Sequence, residues 1–154
     1  MLFGLVTAAL ICVWLNRTAG KRACTKWLQT GEPKLEAITI EKTSHWLPGK
    51  MTCDHEEAVR YFESCLANAV PWTQQDPLAP YYDNDCTVLL HFADGTEYRS
   101  PAPCRITAKG LGLSLPGERR IEENFGTSYV AFRDPMPNEW KQALRTLLGP
   151  QAVD

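Results

Sequence analysis

The first stretch of the chain is mostly apolar and contains no charged residue and no proline. This apolar run begins at Leu2 and ends at Leu15, and its apolar residues fall on every side of a helix drawn through them. A helix packed in the core of a small domain normally has one polar face, so the pattern favours insertion into a membrane or an export machine. The sequence predicts a transmembrane anchor or signal segment over residues 1–20, with the membrane contacted by the apolar run.

The residues after the run leave two interpretations open. The run covers about 21 Å as a helix, whereas a hydrocarbon core is about 30 Å thick, so an anchor would extend to Gly20 with Arg17 reaching the headgroups. Small residues at Thr18 and Ala19 favour instead a signal peptide that is cleaved. Residues 21–34 are mostly polar and are expected to form a stalk.

The sequence also leaves the side of the membrane open. Basic residues follow the apolar run and none precedes it, which favours a body in the cytoplasm. Four of the six cysteines lie in the body, at a density typical of an oxidising compartment. These four are Cys53, Cys65, Cys86 and Cys104. We expect a membrane-anchored protein with an extracytoplasmic, periplasmic body, and a cytoplasm-facing body is the alternative.

Residues 35–150 show the periodicities of one small domain. Residues 35–41 alternate between apolar and polar side chains and predict a first strand. A helix is expected to follow from an N-cap at Asp54, with Glu57 completing a capping-box pattern. Hairpin-linked alternating runs between residues 86 and 133 precede a closing helix. The order predicts an α+β fold after the N-terminal apolar helix: a small antiparallel sheet with two helices packed on one face.

A hairpin turn at Gly95 has two possible registers. A two-residue turn would pair Phe92 with Glu97 and place a carboxylate on the apolar face of the strand. A three-residue loop with a left-handed Gly95 pairs Leu90 with Tyr98 instead and keeps that face apolar. We predict the second register.

The spacing of the body cysteines limits which of them can pair. Cys53 and Cys65 lie at opposite ends of the predicted helix, about 15–18 Å apart, which is too far for a disulfide. Under the predicted register Cys86 faces Ala102, and Cys104 lies one diagonal step beyond on the same face. Cys86–Cys104 is the predicted disulfide, worth roughly 3 kcal/mol in the chain-entropy model, and buried free thiols are the alternative.

The charge of the chain is unevenly distributed. The net charge is −2, yet all 18 acidic residues follow residue 31, while four of the 16 basic residues lie in the first 26. The body is therefore acidic and has no stripe of Lys and Arg. Because phosphate contacts need clustered bases, this distribution argues against nucleic acid as a partner.

The sequence contains no recognisable catalytic set. Metal ligation by Cys53, His55 and His45, with Asp54 or Glu56 nearby, lacks paired ligand spacing. The carboxylates of Asp76, Asp83 and Asp85 lack the pattern of a calcium loop. A thiol nucleophile at Cys104 or Cys53 has no base placed beside it by the sequence pattern. We expect no enzyme activity, no metal and no cofactor, and a small exported thiol-dependent enzyme is an alternative.

Residues 71–85 form the expected contact surface. They include three prolines and show no periodicity, and structureless segments of this length are uncommon in compact domains. Aromatic side chains beside acids on such a segment are typical of protein-binding surfaces, and packing over the sheet is the alternative. The predicted partner-binding residues are Trp72, Tyr81, Tyr82, Asp83 and Asp85.

These patterns together favour a binding function. We predict a membrane-tethered, non-catalytic module that recognises a protein partner, either as an assembly accessory or as an immunity-like protein that neutralises a toxin or enzyme. A structural accessory subunit of a membrane complex, held through its N-terminal segment, is a further alternative.

Overall fold

A computed structural model describes residues 2–43, 49–71, 85–101, 104–117 and 128–150, with side chains from residue 6 onward. Within these ranges the chain forms three helices and one antiparallel sheet of eight strands, which confirms the predicted α+β class. In chain order the elements are α1 (Leu2–Thr30), β1 (Leu35–Lys42), β2 (Gly49–Cys53), α2 (Glu56–Leu66), β3 (Val70–Pro71), β4 (Asp85–Phe92), β5 (Glu97–Arg99), β6 (Cys104–Thr107), β7 (Gly110–Leu113), β8 (Ser128–Ala131) and α3 (Asn138–Leu148).

The sheet has the strand order β2–β1–β4–β6–β7–β8–β3, and β5 also pairs with β4. The hairpin between β4 and β5 has the predicted register, with Leu90 opposite Tyr98 and a positive φ of 80° at Gly95. In this register Tyr98 lies on the apolar face, where its hydroxyl donates to the buried carbonyl of Ser114 at 2.8 Å. In the alternative register, the carboxylate of Glu97 would lie on this apolar face.

The core lies between one face of the sheet and the helices. Alternation along β4 buries every second side chain, and these are Cys86, Val88, Leu90 and Phe92. From the helices, Phe62 of α2 stacks on Trp140 of α3 with ring centroids 5.8 Å apart, and both rings are fully buried. Tyr61 of α2 also contacts Trp140, with ring centroids 5.7 Å apart, so two aromatic contacts fix the helices relative to each other.

The start of α2 differs from the prediction. The helix begins at Glu56 with His55 as its N-cap, and no side-chain hydrogen bond caps it, so the capping box predicted from Asp54 and Glu57 is absent. The backbone N–H of Asp54 donates instead to the Glu139 carboxylate of α3 at 3.4 Å. A carboxylate from a distant part of the chain therefore accepts the N–H that Glu57 would accept in a capping box.

Helix α1 corrects the prediction of a membrane anchor. Across the residues that the structure describes, no helix is both long enough and apolar enough to span a membrane. The predicted transmembrane helix and signal anchor are wrong, and a membrane-anchored localisation, with a periplasmic or a cytoplasm-facing body, is not supported. The physical reason is that the apolar run is short and the same helix continues directly into Asn16, Arg17, Lys21 and Arg22.

The region expected to be a polar stalk also has a different structure. Residues 21–30 continue α1, and Ala23, Cys24 and Trp27 within them are buried in the core. The helix ends where Gly31 adopts a positive φ of 74° and donates its N–H to the carbonyl of Trp27 at 2.7 Å. A left-handed residue directly after a helix satisfies one of the carbonyls that the helix end leaves open.

Candidate functional site

The second half of α1 is docked on the domain through a narrow stripe of side chains. Gly20, Ala23, Cys24 and Trp27 form this docked stripe, at spacings that place them on one side of the helix. Helix α1 packs on β5, where a Cβ at position 20 would overlap the carbonyl oxygen of Glu97. Because only glycine has no Cβ, the helix backbone can approach the strand this closely at residue 20.

Trp27 ties α1 to two further elements. Its ring lies 5.7 Å from the ring of Phe92 in β4, measured between centroids. Its indole Nε1–H donates to the Glu63 carboxylate of α2 at 3.2 Å. Trp27 is only 6% exposed, so one side chain anchors the helix both to the sheet and to α2.

The first half of α1 is exposed, unlike the docked second half. Its large apolar side chains are 49–65% exposed. They are Val6, Leu10, Ile11, Val13, Trp14 and Leu15. Single exposed apolar residues are ordinary on protein surfaces, but contiguous exposed apolar patches mark interaction sites. This half of α1 carries such a patch.

Helical geometry separates the most outward of these side chains from the domain. At about 100° per residue, Ile11, Trp14 and Leu15 point to the side of α1 opposite the docked stripe. We call these three residues the outward patch. Helix α1 is continuous through residue 30. The domain contacts the docked stripe, so it lies on the side of the helix opposite the outward patch and does not cover it.

Positive charge borders the outward patch. Arg22 is exposed on the outward side of α1, about two turns further along, and Lys21, also exposed, lies between this side and the inner groove. On the inner side, a groove of about 1020 Å³ runs between α1 and the β4–β5 hairpin, with Arg17 and Arg99 among its lining residues. No acidic residue occurs in the first 31 positions, so nothing within α1 itself neutralises these charges.

Most of the predicted partner-binding residues cannot be placed. Trp72, Tyr81, Tyr82 and Asp83 lie outside the described residues. Asp85 lies at the first position of β4, where its carboxylate accepts a hydrogen bond from Nε of Arg105 in β6 at 3.0 Å. That pair joins two neighbouring strands and gives Asp85 a structural role. The predicted surface itself stays a prediction.

The buried cysteines are poorly suited to nucleophilic chemistry. Burial raises the pKa of Cys24 and of Cys53 to about 12, and for Cys53 the nearby carboxylates act in the same direction. Burial also raises the pKa of Cys86 and Cys104. Since the thiolate is the reactive form, these four thiols are almost entirely protonated and unreactive near neutral pH.

Three possible metal ligands come together where α2 and α3 begin. Ligand atoms of Asp54, His55 and Glu139 all lie within 4.8 Å of one another. The set considered from the sequence shares His55 and Asp54 with this cluster, whereas Cys53 is a buried neighbour and His45 lies outside the described residues. Both carboxylates stand at N-terminal helix ends, where the helix dipoles stabilise negative charge, so their closeness needs no cation. The expected absence of a metal stays a prediction.

A carboxylate, a histidine and a hydroxyl line up across three strands. His91 Nδ1 lies 3.2 Å from Glu97 Oε2, and His91 Nε2 lies 3.0 Å from Thr39 Oγ1. The order resembles a nucleophile, base and acid, but Thr39 is 3% exposed and sits within β1 between two paired strands. Its surrounding N–H groups are committed to the sheet and cannot form an oxyanion hole. The row is a cross-strand polar ladder of the kind that stabilises sheets.

The chain matches no model of a protein family, no curated protein and no solved structure. The candidate site therefore stands on its own geometry. Of the surfaces described, only the first half of α1 combines a contiguous exposed apolar patch with bordering charge. Sequence reasoning found the apolar residues of this surface but assigned them to a membrane, and the docked stripe was hidden among lysines and arginines.

Proposed function

We propose that the chain is a non-catalytic binding module that recognises a protein partner through the outward patch of α1. The observation that carries this proposal is the exposure of Trp14, 65%, on a helix whose other half is docked in the core. Tryptophan exposed in a patch of aliphatic residues is the side chain most often found at the energetic centre of protein interfaces. In this role the chain acts as an accessory component of a larger assembly.

The spacing of the outward patch indicates how a partner would bind. Ile11, Trp14 and Leu15 follow the i, i+3, i+4 pattern with which a helix fills an apolar groove. Lys21 and Arg22 border the patch, so the fitting partner has an apolar groove edged by Asp or Glu. Another copy of α1 offers no such acids, so two α1 helices packed against each other do not meet this requirement.

A thiol-dependent enzyme is the weaker alternative. It would need a thiolate at Cys104 or Cys53, and burial raises the pKa of both thiols. The polar contacts of Cys104 are to the Ser100 hydroxyl at 3.2 Å and the Pro101 carbonyl at 3.6 Å, and neither group is a base. Both observations favour binding over catalysis.

The test compares three full-length proteins as bait in a pull-down quantified by mass spectrometry. One is the wild type, the second carries Ile11→Ser, Trp14→Ala and Leu15→Ser together, and the third carries Leu28→Ser. Leu28 is a matched control because it is also an exposed leucine of α1, 42% exposed, but lies outside the outward patch. We expect a partner whose recovery falls at least about tenfold with the triple variant and stays near wild type with Leu28→Ser.

A second comparison tests the charge of the partner. The double variant Lys21→Glu, Arg22→Glu should weaken binding of the same partner and remove most of its salt dependence, because it reverses the charge beside the patch. Equal recovery of every protein by wild type and triple variant would reject the proposal. A wild-type dimer that the triple variant loses in light scattering, or wild-type flotation with lipid vesicles that the triple variant loses, would also reject it.

A further inference from the structure

Two thiols face each other across neighbouring strands. Cys86 of β4 and Cys104 of β6 are direct register partners of an antiparallel pair, and both are free and buried. Directly opposite residues of antiparallel strands have α-carbons about 4.5–5.5 Å apart and side chains on the same face. A disulfide needs α-carbons about 4.4–6.8 Å apart, so the backbone meets the requirement without rearrangement.

A change of register along β4 produces this alignment. Leu89 is opposite Arg99 in β5, and continuing that register would place Cys86 opposite Ala102. The structure instead places Cys86 opposite Cys104, because β4 exchanges β5 for β6 as its partner on this edge. Among the described strands, no other two cysteines are register partners.

We propose that Cys86 and Cys104 are a disulfide-forming site, which closes when the chain folds in an oxidising environment. The inference is independent of the proposed binding function. With glutathione disulfide as oxidant, one cysteine thiolate attacks it and releases one glutathione, and the other cysteine then displaces the second glutathione. Both protein thiols lose their protons and together give up two electrons, which reduce one glutathione disulfide to two glutathiones.

Burial determines when the bond forms. Cys86 is 5% exposed and Cys104 is 1% exposed, so an external oxidant cannot reach either sulfur in the closed fold. The first step therefore takes place during folding or when these strands open locally. Once both sulfurs are buried, the same shielding protects the finished bond from reduction.

The bond would enclose the surface that carries α1. The loop from Cys86 to Cys104 contains the whole β4–β5 hairpin, and β5 is the strand on which α1 packs. The disulfide would therefore fix both ends of this hairpin to each other. Phe92, which contacts Trp27 of α1, lies inside the same loop.

The test is refolding of the reduced, denatured wild-type chain in glutathione buffers of increasing oxidised fraction. Free thiols are then alkylated, and the monomer is analysed intact and after proteolysis. We expect two fewer alkylated cysteines than in the reduced protein and a linked peptide that contains Cys86 and Cys104. The oxidised protein should melt higher than the reduced protein by on the order of 5–10 °C.

Single cysteine substitutions identify which two cysteines form the bond. Cys86→Ala and Cys104→Ala should each lose the linked peptide and the redox-dependent melting shift, whereas Cys65→Ala, a buried cysteine of α2, should keep both. The wild-type comparison needs no substitution, so the test survives if a variant fails to fold. Wild-type protein that keeps all its thiols in every buffer, or a linked peptide with any other cysteine, would overturn the assignment.

Discussion

The two halves of α1 belong to one continuous helix and have opposite surroundings. Gly20, Cys24 and Trp27 are buried against β5, β4 and α2, whereas Trp14 and Leu15 are about half or more exposed. A short isolated helix is marginal in water, so the first half depends on the docked half to stay helical. The difference teaches that the fold buries only the docked stripe and leaves the large apolar residues before it exposed.

The sharpest test of this difference compares two tryptophans on the same helix. Trp27→Ala removes the contact with Phe92 and the hydrogen bond to Glu63, and should lower the free energy of unfolding by about 3–5 kcal/mol. Trp14→Ala should change it by less than about 0.5 kcal/mol, because that ring is 65% exposed. Urea denaturation followed by circular dichroism measures both, and similar losses in the two variants would contradict the division of α1.

A second test breaks the close approach of the helix and β5. Gly20→Ala places a Cβ against the carbonyl of Glu97, and should cost about 1–3 kcal/mol despite the better helix propensity of alanine. Gly49→Ala is the control, since its new Cβ is crowded only by the movable Leu147 Cδ1 at 3.2 Å and meets the Leu147 backbone at ordinary contact distances. If Gly20→Ala proves as harmless as Gly49→Ala in urea denaturation, α1 does not rest on β5 as described.

Thiol reactivity compares the two halves without any mutation. Cys12 is exposed in the first half, and Cys24 is fully buried in the second. Under native conditions iodoacetamide should modify Cys12 at least about tenfold faster than Cys24. Peptide mass spectrometry over a time course gives both rates, and in urea the two should approach each other. Equal rates under native conditions would mean that the docked half of α1 does not shield Cys24.

Stability should also depend on alkaline pH. Burial raises the pKa of Cys24 from 9.0 to about 12, so the folded state holds this proton more tightly than the unfolded state. The resulting stabilisation is complete below pH 9 and is lost as the pH rises from about 9 toward 12. Urea midpoints of the wild type should therefore fall more steeply above pH 9 than those of Cys24→Ala. If the urea midpoints of the two proteins fall equally, Cys24 does not contribute to this pH dependence.

The fold could be predicted where a local pattern determines it. Alternation along β4 and the choice of Leu90 opposite Tyr98 follow from the need to keep one sheet face apolar. The start of α2 could not be found in this way, because Glu139, far along the chain, takes the N–H of Asp54. The sequence predicted Cys86 and Cys104 as a pair one diagonal step apart, and the change of partner from β5 to β6 along β4 places them directly opposite each other.

The sequence alone indicated only part of the candidate site. An apolar run records a need for apolar surroundings and does not say whether lipid or protein supplies them. The docked stripe was obscured because Lys21, Arg22 and Lys26 interrupt it along the chain while pointing away from it in space. Three-dimensional packing of Trp27 was needed to show that the helix belongs to the domain.

The contact of Gly20 with β5 also sets the phase of everything before it on α1. A continuous helix turns about 100° with each residue, so the direction in which Trp14 points is fixed by the number of residues that separate it from Gly20. Inserting one residue there would swing the side chain by roughly a quarter turn, while inserting eleven, about three full turns, would restore its heading further from the body. The number of residues between Trp14 and Gly20 therefore determines the direction of the outward patch, whereas the identity of those residues does not.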